Sequence, residues 1–282
     1  MFDRVRDASR RALSGDGDDA PDEETVNGLG ALLDDDESAE YALWSTRGFE
    51  RTVADRTETL TPDDDGYAFA LVSDRRVCFV VDGDRSTPDS DLSLAAVTAV
   101  EHRESLLRRS LSVETSDERV SFRPAGGDVE AVAAYLDRTA RRWRDLRGEL
   151  DDAREMLRAY GDENGTYDDI WRVGNRVRSH LKAADEAATR HDDAAEDRLR
   201  AAMEPVAADV AVRLRSHAEA VVDTVDVDDE GAEQTYEQVR DVLEHAHTIA
   251  AEYTDRDLDP FEASLESLDE AIERSQWQWG GT

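Results

Sequence analysis

The residues with the most capacity for chemistry sit in the last third of the chain. Asp226, Asp228, Glu230 and Glu237, with Gly231 at the bend, follow the outline of a twelve-position calcium loop. Glu230 stands where a shorter side chain is usual, and Glu233 where an apolar one is expected. A chain this rich in carboxylates makes such outlines by chance, so the stretch reads as a solvated turn between helices. His245 and His247 are two apart in a helical pattern and point to opposite sides, an arrangement unsuited to a shared metal. Cys78 is the only cysteine; it excludes an intramolecular disulfide and reads as a small buried hydrophobe within an apolar strand. The chain has no Gly-rich phosphate loop, Cys–His cluster or nucleophile elbow. The expectation is a protein without catalytic residues, metal or cofactor, and not an enzyme.

Residues suited to contact are easier to find. Along 1–14, Phe2, Val5 and Leu13 fall on one helical face with Ser9 and Ala12, beside Arg4, Arg6, Arg10 and Arg11. Two readings stand: a membrane or partner contact with arginines near anionic groups, or a short helix that docks or frays. Trp277 and Trp279 are either partner anchors in a terminal tail or a cap on the preceding helices. Arg138, Arg141, Arg142, Arg144 and Arg147 crowd one helical stretch beside Asp137 and Asp145. They suit either an acidic partner or i,i+4 pairing and carboxylates on neighbouring helices, the second being preferred.

The charge balance narrows the partners. The net charge is −34, from 68 acidic and 34 basic residues, and Lys182 is the only lysine. Acidity spread along the chain with lysine nearly absent resembles proteins of extreme halophiles, archaeal ones included, where a carboxylate surface keeps a protein hydrated in molar salt. At about 1 M salt the Debye length is only about 3 Å, so recognition must rest on close contact. An acidic chain also argues against nucleic acid. No apolar run approaches a membrane span and no secretory h-region opens the chain, so a cytoplasmic protein is expected, with peripheral contact at the inner face of the membrane still open.

These residues need elements to position them. After 1–14, an acidic linker is expected over 15–28, then a lead-in with Leu29, Leu32 and Leu33 as its apolar side. Residues 41–44 read as a first strand, and 47–65 are ambiguous. The segments 67–73 and 76–81, ALVSDRRVCFVV at their centre, make the strongest hairpin in the chain. Residues 92–100 read as a strand with an irregular start, and 106–115 with 119–123 as a second hairpin, Val120 and Phe122 inward. Asp128 is a candidate N-cap for a helix over 129–159. Four further apolar periodicities, over 170–184, 199–225, 236–253 and 258–272, give a helical bundle or bent coiled coil, with Pro205 inside the second. The fold class is α+β: a sheet domain over 29–147, an antiparallel α-helical bundle over 148–276, and a tail over 277–282.

The sheet half resembles the prokaryotic PH-like and GRAM-type domains. The residues that carry the resemblance are Ser73-Asp74-Arg75-Arg76-Val77 leading into an apolar strand, the following strand from Leu94 to Val100, and the closing helix from Val129 to Trp143. It spans roughly residues 30–145 and implies a partly open antiparallel β-barrel capped by a helix. It implies recruitment to a lipid or protein partner rather than catalysis. Lipid-binding members use a basic cluster between the first two strands. Here Arg47, Arg51 and Arg56 are interleaved with Glu50, Asp55, Glu58 and the aspartates 63–65. The expectation is therefore an adaptor or scaffold for protein partners, capable of self-association, in membrane-associated assembly or trafficking. The alternative is a peripheral lipid-binding protein using residues 1–14 and the PH-like domain.

Overall fold

The computed structural model describes residues 20–282 apart from 36, 65, 82–86, 106–107, 162–166, 190–194, 226–230 and 280–282. The chain divides into two compact units, with the boundary between Arg144 and Asp145 and with Asp193–Arg198 grouped with the first.

The first unit begins with α1 (Glu23–Gly28) and a 3-10 turn (Leu29–Leu32). Asp22 caps α1 by accepting a hydrogen bond from the Thr25 amide at 2.7 Å. Among the described residues nine strands follow: β1 (Ala39–Ser45), β2 (Phe49–Val53), β3 (Arg56–Leu60), β4 (Ala68–Ser73), β5 (Arg76–Val81), β6 (Ser90–Ser93), β7 (Ala99–Ser105), β8 (Arg108–Glu114) and β9 (Glu118–Phe122). They form two antiparallel sheets, one ordered β1-β4-β5-β6 and the other β3-β2-β9-β8-β7. No pairing among the described residues closes them into a barrel.

One long bent hairpin links the sheets. Ser45 pairs with Ala68 in the first sheet, and Phe49 resumes the pairing with Leu60 in the second. Gly48 sits at the bend with φ +75°, where a Cβ would lie 1.8 Å from the Leu60 carbonyl oxygen. Only glycine allows that approach. The hairpin ends in a two-residue turn, Ala54 and Asp55, both at positive φ.

The ambiguity over 47–65 is thereby resolved into β2 and β3. Their burial alternates weakly because β3 is exposed on nearly every residue, and the turn lacks the Asn-Gly signal of such hairpins. The strand expected over 92–100 is instead a short strand, a 3-10 turn (Leu94–Ala96) and the start of β7. Leu94 and Val97 are both buried at a spacing of three, which a strand cannot present on one face. Residues expected as linker up to 28 already include α1, with Val26 buried.

α2 (Val129–Gly161) starts where expected, capped by Asp128, whose carboxylate accepts from the Ala131 amide at 2.9 Å. Its first turns bury Val129, Val132, Ala133, Leu136 and Ala140 in a core that takes residues from both sheets, Phe79 and Phe122 among them. A second apolar cluster lies between α1 with its 3-10 turn and the four-stranded sheet, where Val26, Leu29 and Leu32 meet Trp44, Phe69, Leu71, Cys78 and Val80.

The second unit holds the rest of α2 with α3 (Tyr167–Thr189), α4 (Ala195–Thr224), α5 (Ala232–Tyr253) and α6 (Asp259–Trp279). The Ala195–Arg198 end of α4 belongs to the first unit. Each helix carries its apolar residues at three- and four-residue steps: Val177, Leu181 and Ala184 on α3, for example, and Tyr236, Val239, Leu243 and Ala246 on α5. α5 packs against α3 and α6. α6 continues through Trp279, so the segment expected as a tail from 277 is helical to that point.

Candidate functional site

The turn motif Ser73-Asp74-Arg75-Arg76 lies at the end of the β4–β5 hairpin, and all four side chains are committed to holding structure. The Ser73 hydroxyl accepts from the amides of Arg75 and Arg76 and donates to Glu37. Asp74 accepts from the Ser38 amide at 2.9 Å. Arg75 pairs with Asp34 at 3.2 Å. Arg76 donates to Glu37 at 2.8 Å, to Asp91 at 2.6 Å and to the Leu32 carbonyl at 3.1 Å. Burial alone pushes the Glu37 carboxyl up, but hydrogen bonds from Arg76, Ser73 and the Asp34 amide outweigh it and hold it below the usual glutamate value. The Glu37 hydrogen bond, ahead of the opposing effect of burial, raises the Arg76 guanidinium. The motif is a clasp that ties the lead-in chain over the four-stranded sheet.

Cys78 is buried, and burial pushes its thiol up to about 12, so it stays protonated and unreactive. Among the described residues no three His, Cys, Asp or Glu side chains are placed to hold a metal ion. His247 approaches Glu262 at 4.0 Å, while the Nδ1 of His245 is buried without a hydrogen-bond partner. Of the calcium-loop outline, 226–230 lie outside the described residues, and Gly231 and Glu237 belong to the start of α5.

The contact residues expected at the N-terminus, Phe2, Arg4, Val5, Arg6, Arg10, Arg11 and Leu13, lie outside the described residues, as do the side chains of Trp277 and Trp279. The arginine-rich stretch of α2 is largely committed within the chain. Arg141 pairs with Asp137 at 2.6 Å, Arg144 donates to the Thr98 carbonyl at 2.6 Å, Arg138 lies over the Tyr135 ring and Arg142 is buried. Of the basic residues near the first hairpin, Arg51 pairs with Glu118 at 2.7 Å, whereas Arg47 and Arg56 are exposed; Arg123, after β9, pairs with Glu50 at 3.4 Å.

Among the described residues, the outer face of the five-stranded sheet remains open. The register puts Thr57, Thr52, Arg119, Glu114 and Ala99 in one row across the strands, and Thr59, Glu50, Ser121, Ser112 and Glu101 in the next. Every side chain in the second row is polar. Arg119 lies 3.4 Å from Glu101 and 3.9 Å from Glu114, forming a chain of alternating charge. Among the described residues the sheet ends in unpaired edges at β3 and β7. Such a surface suits recognition by hydrogen bonds, charge pairs and strand edges. Sequence reasoning did not single it out, although Arg119, Ser121 and Arg123 alternate with the buried Val120 and Phe122, a period-two signal on the solvent side.

The helical unit also holds a polar depression of about 350 Å³, lined by Asp185, Arg200, Glu204, Tyr253, Thr254 and Asp255 among others. Arg200 and Asp185 pair across it at 3.4 Å. Burial, then the nearby Glu252 and Asp185 carboxylates, raises the Tyr253 hydroxyl. Among the described residues no helix is long and apolar enough to cross a membrane. In comparisons with known proteins, no family model and no curated protein matches the chain.

Proposed function

We propose that the chain is a non-enzymatic adaptor or scaffold. Its first unit is a PH-like domain, a partly open antiparallel barrel capped by α2, and the domain and the helical bundle present surfaces to protein partners in the cytoplasm. The setting is membrane-associated assembly or trafficking, by analogy with the family it resembles. The observation that carries the reading is the bent hairpin. It runs from one sheet into the other, and α2 sits on the core the sheets share. That is the geometry expected of a helix-capped, partly open barrel. The open polar face of the five-stranded sheet supplies a surface for a partner, and the carboxylates Glu50, Asp55 and Glu58 interleaved with Arg47, Arg51 and Arg56, with Arg51 already paired to Glu118, favour protein over an inositide headgroup.

Crosslinked pull-down from native cytoplasm kept at high salt tests the reading. A partner recovered in stoichiometric amount is the expected outcome; the chain recovered alone counts against it. The alternative, a peripheral lipid-binding protein, has a separate test. The full chain and a form lacking residues 1–14 are sedimented with archaeal-lipid vesicles in high salt. Binding by the full chain that is lost on removing 1–14 would favour the alternative.

A further inference from the structure

We propose that the free edge of β7 pairs antiparallel with β7 of a second copy of the chain, about a two-fold axis passing through His102. Among the described residues β7 pairs only with β8 and ends its sheet, and Ala99 and 101–104 are exposed. Alternate backbone groups of such a strand point away from its one neighbour and are available to another strand.

The charges select the occupant and the register. Glu101 and Arg103 lie two apart, on the outer face of the sheet. Antiparallel pairing centred on His102 sets Glu101 against Arg103 of the second copy, and by symmetry does so twice. Shifting the axis by half a residue would oppose outer-face residues to inner-face ones, which an antiparallel ladder does not allow. Centring on Glu101 or Arg103 sets like charges directly opposite each other. Cross-strand pairs of opposite charge stabilise a sheet and like pairs destabilise it.

The existing ion pairs continue the pattern. Glu114, Arg119 and Glu101 already alternate along the outer face. Arg103 of the second copy extends that row across the joint, and a network is where exposed ion pairs contribute most. The opposite edge, β3, carries Arg56 and Glu58 at the same spacing. It has five residues against seven in β7, and no ion pair among the described residues leads into it.

Salt sets when the pairing forms. Each copy carries −34, so two copies repel in dilute buffer. At about 1 M salt, with a Debye length of about 3 Å, that repulsion fades while contact pairs and backbone hydrogen bonds persist. The outer face stays open in the pair, and the inference does not depend on the family the fold resembles.

Sedimentation equilibrium of the full chain in about 1 M potassium chloride tests this, using Arg103→Glu and Glu101→Arg. The wild type should show a monomer–dimer equilibrium that weakens in dilute salt. Each variant alone sets like charges opposite each other and should associate about tenfold more weakly or less. An equimolar mixture of the two variants restores both opposite-charge pairs and should dimerise again, which misfolded variants would not do. A wild type that stays monomeric overturns the proposal. So does a dimer indifferent to both substitutions, or one lost with Arg56→Glu instead.

Discussion

The two sheets of the first unit share a core but live under different conditions. The four-stranded sheet is buried on both faces, by α1 with its 3-10 turn on one side and by the shared core on the other. Among the described residues the five-stranded sheet buries only its inner face and turns a polar, charge-paired face outward. A sheet covered on both faces can only hold structure, whereas one with an open face and open edges can meet a partner. Substitutions should therefore separate the two: large losses of stability on the covered sheet, and small losses with altered contacts on the open one.

The largest effect is expected at the clasp. Arg76→Met leaves the Glu37 carboxylate, whose side chain is fully buried, without its cation. The cost should be about 3 kcal/mol or more by urea unfolding. A loss below about 1 kcal/mol would mean that the lead-in does not depend on the clasp. Next is Gly48→Ala at the bend between the sheets, where positive φ and the Leu60 carbonyl leave no room for a Cβ. A destabilisation of about 2 kcal/mol is expected, with faster hydrogen exchange in β2 and β3.

Acidification should act on the covered sheet through Glu37. Its folded pKa is lowered, so its contribution is complete above the ordinary glutamate range and is lost as pH falls through the lower folded value. Unfolding free energies measured from roughly pH 5 to pH 3 should fall less steeply in Glu37→Gln than in the wild type. Equal slopes would remove Glu37 from the account. The smallest effect belongs to the open face. Arg119→Ala, which breaks only exposed pairs, should change stability by under about 0.5 kcal/mol while altering any partner contact made there.

The same contrast explains what the sequence reveals. β4 and β5 are covered on both faces, so they read as the near-continuous apolar runs ALVS and VCFVV, visible without any knowledge of pairing. β8 and β9 alternate, and Leu111, Val113, Val120 and Phe122 mark the inner face correctly. β2 and β3 carry too few apolar residues for either pattern, and Ala54-Asp55 disguises their turn. The switch between sheets at Leu94 looks like strand because Leu92 and Leu94 alternate before the 3-10 turn breaks the period. The clasp could not be read because its partners, Glu37 and Arg76, are far apart in sequence. The open face was visible only as unremarkable solvated polar residues until the register aligned them across five strands.

The most direct measurement maps crosslinks between the chain and its partner in native high-salt cytoplasm. Lys182 is the only lysine, so a carboxylate-directed reagent is needed, and Glu50, Glu101 and Glu114 offer reactive positions on the open face. Partner crosslinks concentrated on those residues, and diminished by charge reversal at Arg119 and Arg123, are the predicted result. A chain that captures no partner, or whose partner crosslinks avoid the five-stranded sheet and survive the reversals, would contradict the account.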